Sequence, residues 1–181
     1  KRMEWRRITA PEDPDFERVF GLYQEGFPLH EQRIQEKQEA VLNNPAYFCC
    51  SLWDGAGFAG LLMLWEGPGF TYVEHFAVVP ERRGGGFGGR VLARLIEQGK
   101  PVVLEIDPPA DGISRRRQGF YERAGFSANP WPHVHPPYRS GFAGHELVVM
   151  TCPGPWGWPQ YEAFAAFLRD TVMADCKYQN K

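Results

Sequence analysis

The sequence predicts an α/β (α+β) domain built on a mixed, mostly antiparallel sheet flanked by helices. Three observations predict it. Residues 47–53 and 58–65 are β-branched and aromatic runs joined by Asp54-Gly55-Ala56-Gly57, a hairpin signal. A third run, residues 72–79, leads into a glycine-rich turn, and helical spacing begins directly after it. Residues 101–106 then form a continuous apolar strand of the kind found buried at the centre of a sheet.

The remaining elements follow in order. Residues 5–8 make a short first strand, ended by Pro11. Asp13-Pro14 suits a helix start, and Phe16, Val19, Phe20 and Tyr23 recur at helical spacing as far as Phe27-Pro28. Residues 31–42 are polar and strongly helix-forming, which predicts a mostly exposed helix stopped by Asn43-Asn44-Pro45. Gly67-Pro68-Gly69 turns the chain into the third strand, so three antiparallel strands precede the glycine turn. Residues 113–124 form a helix closed by Gly125. A strand around Phe126, a proline-rich loop over residues 130–137 and a last strand over residues 146–151 complete the sheet. After a Pro/Gly/Trp turn, residues 161–174 form a closing helix. Its Tyr161, Phe164, Phe167, Leu168 and Val172 must be buried on the domain or on a second copy.

Composition narrows the classes of function. The chain has 181 residues, enough for one domain with a substantial core, and its 43% hydrophobic and 23% charged content is ordinary for a globular protein. A formal net charge of −2 argues against nucleic acid or an anionic membrane as partner, despite local basic clusters at Arg82-Arg83 and residues 115–117. No apolar run reaches membrane-spanning length, and KRMEWRR lacks the apolar core of a signal peptide, so a cytoplasmic location is expected. The four cysteines then read as thiols.

The glycine turn carries the chemistry. In residues 71–98, TYVEHFAVVPERRGGGFGGRVLARLIEQ, five of the six residues from Gly84 to Gly89 are glycine, and Val91, Leu92, Leu95 and Ile96 follow at helical spacing. Glycines let main chain approach a ligand closely, and the first amides of a helix lack partners, so this arrangement binds anions. The lack of Lys-Ser/Thr after the glycines rules out a Walker A loop. Gly84, Gly86 and Gly89 formally fit the dinucleotide fingerprint G-x-G-x-x-G, but there the first glycine closes the turn directly after the strand. Here Pro80, Glu81, Arg82 and Arg83 intervene. The segment instead closely resembles the acyl-CoA loop of the GCN5-related N-acetyltransferase (GNAT) family, in which a strand ending V-x-P leads to R-G-x-G-x-G and a helix. Val78, Pro80, Arg83, Gly84, Gly86 and Gly88 match it, and the order of elements follows that domain over roughly residues 5–152. The reading divides the chain into an acetyltransferase domain, residues 1–152, and an appended turn and helix, residues 153–181.

The resemblance implies acetyl-CoA as cofactor and a sheet whose central strands splay. The amides of Arg83, Gly84, Gly85, Gly86, Phe87, Gly88 and Gly89 are expected to hold the pyrophosphate. The pantetheine arm is expected between the strands, along Phe76, Ala77 and Val78, where an amide polarises the thioester carbonyl. Polyamine acetyltransferases of the family carry a similar Tyr-x-Glu, which makes Glu74 the expected base for an ammonium of pKa about 10; other members place that glutamate two residues earlier, where this chain has Tyr72. A carboxylate inside an apolar strand is otherwise a member of a structural ion pair. Strict alternation puts Tyr72, Glu74, Phe76 and Val78 on one face, and Val73, His75, Ala77 and Val79 on the other.

Residues 113–126, ISRRRQGFYERAGF, resemble the family's second signature, a helix ending F/L-Y-x-x-x-G-F, matched by Phe120, Tyr121, Gly125 and Phe126. The resemblance makes Tyr121 the acid that protonates the departing thiolate. Ser114 stands where the family often has a cofactor-contacting asparagine, and Arg117 is a candidate for the nucleotide phosphates. Trp131, His133, His135, Tyr138 and Arg139 are candidates for the acceptor pocket together with Tyr72 and His75, with residues 28–33 as the opposite rim. His133-x-His135 has no adjoining carboxylate or cysteine cluster, so no metal is expected. The expected partner is a small-molecule or peptide amine, and the chain a monomer or homodimer. Two other classes stay open: a CoA-binding sensor or interaction module without turnover, and a dinucleotide oxidoreductase.

Overall fold

A computed structural model describes residues 2–176. Its core is a seven-stranded mixed sheet. In chain order the strands are β1 (Met3–Ile8), β2 (Tyr47–Asp54), β3 (Gly57–Gly67), β4 (Phe70–Val78), β5 (Val102–Ile106), β6 (Ser127–Ala128), β7 (Val134–His135), β8 (His145–Glu146) and β9 (Val148–Cys152). The helices are α1 (Phe16–Gly26), α2 (Gln35–Val41), α3 (Phe87–Glu97), α4 (Gly112–Arg123) and α5 (Trp158–Phe167). The large sheet runs β1-β2-β3-β4-β5-β9-β6, with β7 and β8 forming a separate two-stranded ribbon. Only the β4–β5 pair in it is parallel, and α3 is the crossover between them.

Two apolar layers sandwich the sheet. One joins α1, the end of α2, and α5 to Ile8, Tyr47, Leu61, Met63, Trp65 and Tyr72; the other joins α3 and Phe126 to Leu52, Leu62, Leu64, Val73 and Leu104. Cys49 and Cys50 fall into opposite layers, and all four cysteines are free thiols. The closing helix buries Tyr161, Phe164, Leu168 and Val172 within its own chain's first layer. It is α-helical only to Phe167 and continues as a wider π turn over Leu168–Val172. Among the described residues no helix is long and apolar enough to cross a membrane.

Three sequence expectations are corrected. The polar helix spans only Gln35–Val41, because Gln32 and Ile34 are extended. The Gln32 side chain donates to the Gln24 carbonyl, and the Arg33 amide donates to the Tyr23 hydroxyl. Strict alternation fails in β4: Met63 pairs with His75 and Leu64 with Val73, so Glu74 is the extra residue of a β-bulge. Past the bulge the faces exchange. Ala77 and Val79 join the α1–α5 layer, while Phe76 and Val78 join Val73 on the α3–α4 side. Finally, the strand read as continuously apolar holds Glu105, whose side chain is almost wholly buried.

Candidate active site

The parallel ladder is short. Thr71, Tyr72 and Val73 pair with Val102, Val103 and Leu104, and there the pairing of β4 with β5 stops. From Glu74 onward β4 stays paired with β3, and β5 stays paired with β9, so the sheet opens as a notch between them. Past Val73 the edge of β4 toward β5 has no strand partner, so main-chain groups there, apart from the Val78 carbonyl that accepts from Arg83, have no ladder to satisfy them.

The glycine turn lies at the end of the same strand. A 3-10 turn, Pro80–Arg82, leads from β4 to exposed Gly84, Gly85 and Gly86. Gly84 and Gly86 both sit at φ 83°, a left-handed conformation that favours glycine. Gly86 caps α3 and has no side chain to satisfy its first amides, and the first turn of α3 carries no acidic residue. Those amides and the positive end of the helix dipole suit a diphosphate, so the turn fits a CoA pyrophosphate. Arg83 is exposed beside it and spends one donor on the Val78 carbonyl, 3.1 Å away. A Cβ at Gly88 would meet Phe120 at 3.2 Å and Phe76 at 3.7 Å, so the start of α3 rests on α4 and β4.

Tyr121 lies on α4, ring to ring with Phe120 and Phe126. Burial pushes its hydroxyl up to about 12, so it is protonated at neutral pH and able to donate. Ser114 is engaged in capping α4: its amide and hydroxyl donate to Asp111, and its hydroxyl accepts from the Asp111 amide. Arg117 bonds Asp107 at 3.3 Å rather than standing alone.

The opposite face of the notch is made of buried side chains. Glu74 has no exposed side-chain surface; Arg33 meets it at 2.8 Å, the Trp65 indole N–H at 2.8 Å and the Tyr138 hydroxyl at 2.7 Å. Burial alone would raise its pKa, but the Arg33 guanidinium overrides this and holds the carboxyl at about 2. Glu105 stands one residue beyond the last ladder pair on β5, as Glu74 does on β4. It accepts from the Tyr72 hydroxyl and from His133 Nε2, the latter at 2.6 Å. Against the upward push of burial, His135, His133 and Tyr72 keep its carboxyl below the usual range. His133 Nδ1 meets the Tyr161 hydroxyl at 2.9 Å, which ties α5 into the network. His75 lies between Tyr23 and Phe27, and its Nε2–H donates to the Glu31 carbonyl at 2.8 Å. Burial lowers its pKa to about 4, so it is neutral.

The predicted acceptor residues are thus gathered at the notch, but most are not an open rim. Arg33, His75, His133, His135 and Tyr138 are buried. Trp131 is half-buried, its indole N–H donating to the Trp156 carbonyl. Arg139 is committed to the carbonyls of Gln32 and Arg33. Sequence reasoning missed the partnership roles of Arg33, Trp65 and Glu105. The signal for Glu105 was present: a lone carboxylate in an apolar strand, the same feature that singled out Glu74. No local signal marks Arg33, which sits in a polar, helix-forming stretch. A cavity of about 480 Å³ between α1 and α2, lined in part by Phe16, Phe20 and Gln35, includes no residue of the notch or the glycine turn.

Known proteins share this fold. The family model described as "Acetyltransferase (GNAT) family" matches residues 6–126. A Bacillus subtilis (strain 168) protein named "Putative acetyltransferase YjbC" is 31% identical over 104 residues, 56% of this chain and 53% of that protein. The chain therefore spans about half the length of this curated relative. A solved Bacteroides thetaiotaomicron structure titled "Putative acetyltransferase from GNAT family" is similar at TM-score 0.87 and 29% identity, over 93% of this chain and 97% of that one. A Bacillus subtilis acetyltransferase solved in complex with CoA shares the fold at TM-score 0.56 and 14% identity, over 83% of this chain and 96% of that one.

Proposed function

The chain belongs to the acetyltransferase (GNAT) family, and from that premise we propose that it transfers an acetyl group from acetyl-CoA to a primary amine of a small molecule or peptide by direct attack. The family uses acetyl-CoA as cosubstrate. The observation that carries the reading is the parting of β4 from β5 after Val73 and Leu104, at the end of the strand that feeds an exposed glycine turn.

The bound cosubstrate supplies a thioester whose acyl carbon accepts an uncharged amine. The amides of residues 84–89, with Arg83, bind its diphosphate. The unpaired edge of β4 near Phe76 and Val78 binds the pantetheine amides, and one main-chain N–H there polarises the carbonyl. Tyr121 donates its proton to the leaving sulfur, which forms a thiol with a pKa of about 8.5. Ser114 and Arg117 border the nucleotide end, Ser114 by capping α4 and Arg117 as one of the charges on that helix.

The acceptor arrives from the side of Glu74, Glu105 and Tyr138. Glu74 acts as base through the Tyr138 hydroxyl, which donates to it at 2.7 Å: as the Tyr138 oxygen takes the ammonium proton, its own proton passes to Glu74. A carboxyl held at about 2 does not retain that proton after turnover at neutral pH. Tyr72, His75, Trp131, His133, His135, Tyr138 and Arg139 shape the pocket, mostly by fixing the two carboxylates and the loop over residues 28–33.

Thiol release from acetyl-CoA over a panel of amines and amino-terminal peptides tests this directly, with acetyl-CoA binding measured in parallel. Tyr121→Phe is expected to lower kcat by about 10²-fold or more while leaving acetyl-CoA affinity unchanged. Binding of acetyl-CoA without thiol release for any amine would instead identify a CoA-binding module. Protection by NAD but not by acetyl-CoA would overturn both.

A further inference from the structure

A second cluster lies at the rim, outside the machinery above. The 3-10 turn Leu29–Glu31 brings His30 and Glu31 against His145 at the start of β8. One ligand atom from each of the three lies within 4.8 Å of the other two, and the two imidazole rings are 5.1 Å apart, centre to centre.

Glu31 Oε1 and His145 Nδ1 are 3.4 Å apart. That is long for a charge-assisted hydrogen bond, about 2.7–2.9 Å, but it equals the donor–donor edge of a tetrahedral zinc shell, about 3.4 Å for bonds of about 2.1 Å. The other nitrogen of His145 is already placed. Nε2 is 2.9 Å from Asp107 Oδ1, and a carboxylate accepts, so Nε2–H donates. In the neutral ring this turns the Nδ1 lone pair toward Glu31. A histidine with one nitrogen bonded to a carboxylate and the other aimed at a ligand set is the usual outer-shell arrangement of a metal site. Asp107 is itself held by Arg117 Nη1 at 3.3 Å. Among the described residues Glu31 has no Lys or Arg partner.

The turn that carries two of the ligands is fixed from behind. His75 donates to the Glu31 carbonyl, the Gln32 side chain to the Gln24 carbonyl, and Arg139 to the Gln32 and Arg33 carbonyls. The backbone that presents His30 and Glu31 is therefore held in place.

We propose that His30, Glu31 and His145 bind one divalent transition-metal ion, Zn²⁺ by ligand type, with Asp107 orienting His145 and a water in the fourth position. Two imidazoles and one carboxylate suit zinc rather than the all-oxygen shells of calcium or magnesium. The ion clasps the segment between α1 and α2 to the β7–β8 ribbon, two parts of the chain that border the acceptor side.

The test uses the full chain, freed of metal by a chelator and titrated with Zn²⁺ in competition with a chromophoric chelator. One equivalent is expected to bind and to raise Tm, and Co²⁺ in its place is expected to give the visible absorption of a tetrahedral ion. His145→Ala and the exposed His30→Gln are expected to weaken Zn²⁺ binding at least 100-fold. Asp107→Asn is expected to weaken it by about 10–100-fold through the outer shell. Because His30 lies at the surface, His30→Gln remains informative should His145→Ala fail to fold. Absence of saturable binding in the wild-type chain, or binding by both histidine variants as tight as wild type, overturns the site.

Discussion

The two faces of the notch solve the same problem by opposite means. On the α3–α4 face the site is main chain: exposed glycines, uncapped amides at the start of α3, and an unpaired stretch of β4. On the α1–α5 face it is side chain: Glu74 with Arg33, and Glu105 with His133, all removed from solvent. A main-chain site needs conformational freedom at a few adjacent positions and buries no charge. A side-chain site has to bring charges out of water, and each must be met by a partner from elsewhere in the chain. The first is therefore cheap to build and locally encoded, the second costly and dispersed.

That contrast is easiest to break at Arg33. Arg33→Met leaves Glu74 buried without its cation and is expected to cost about 3–5 kcal/mol, read from the denaturant midpoint, whereas Arg33→Met with Glu74→Leu recovers much of the loss. A near-neutral single variant would mean that charge pairing does not hold this face.

Acid is expected to act on the side-chain face in two steps. His75 is depressed to about 4, so its contribution is present above the ordinary histidine value of about 6.5 and is lost as pH falls from there toward 4. Glu74 is depressed to about 2, so its contribution is present above about 4.5 and is lost as pH falls toward 2. Each shift corresponds to about 3 kcal/mol. Urea unfolding from pH 7 to pH 3 should show stability falling throughout; His75→Phe should flatten the upper step and Glu74→Gln the lower.

The main-chain face should respond more mildly and more locally. Gly86→Ala places a Cβ at φ 83° with nothing within 4 Å of it, so the cost is conformational, about 1–2 kcal/mol. Gly85→Ala, which lacks the positive φ, should stay within about 0.5 kcal/mol. Comparing acetyl-CoA affinity in the two variants separates the shape of the turn from its bulk. Smallest of all, Tyr121→Phe should change stability by less than about 0.5 kcal/mol, because the hydroxyl makes no hydrogen bond among the described residues.

Legibility in the sequence follows the same division. The turn from Val78 to Gly89 could be read residue by residue, since the conformation, the amides and the helix start are all set within a dozen positions. The hairpin at Asp54–Gly57 and the closure of α4 at Gly125 were readable for the same reason, and Gly55 and Gly125 do sit at positive φ. The alternation in β4 misled because one extra residue at Glu74 exchanges the faces beyond it, and a bulge has no signature in a period-two pattern. The polar stretch over residues 31–42 reads as a helix by propensity. Its first residues are instead drawn into extended backbone by Tyr23, Gln24 and Glu74, from two other elements.

By itself, then, the chain's order of residues determined the strands of the large sheet, the glycine turn, the start of α3 and the family to which they belong, because each rests on short-range conformational preference; the short β7–β8 ribbon, inside and after a proline-rich loop, was not legible there. Only the tertiary structure decided which charges meet. Arg33 finds Glu74 across 41 positions and His133 finds Glu105 across 28, and a buried carboxylate accepts whichever donor the packing delivers rather than one its neighbours in sequence prescribe.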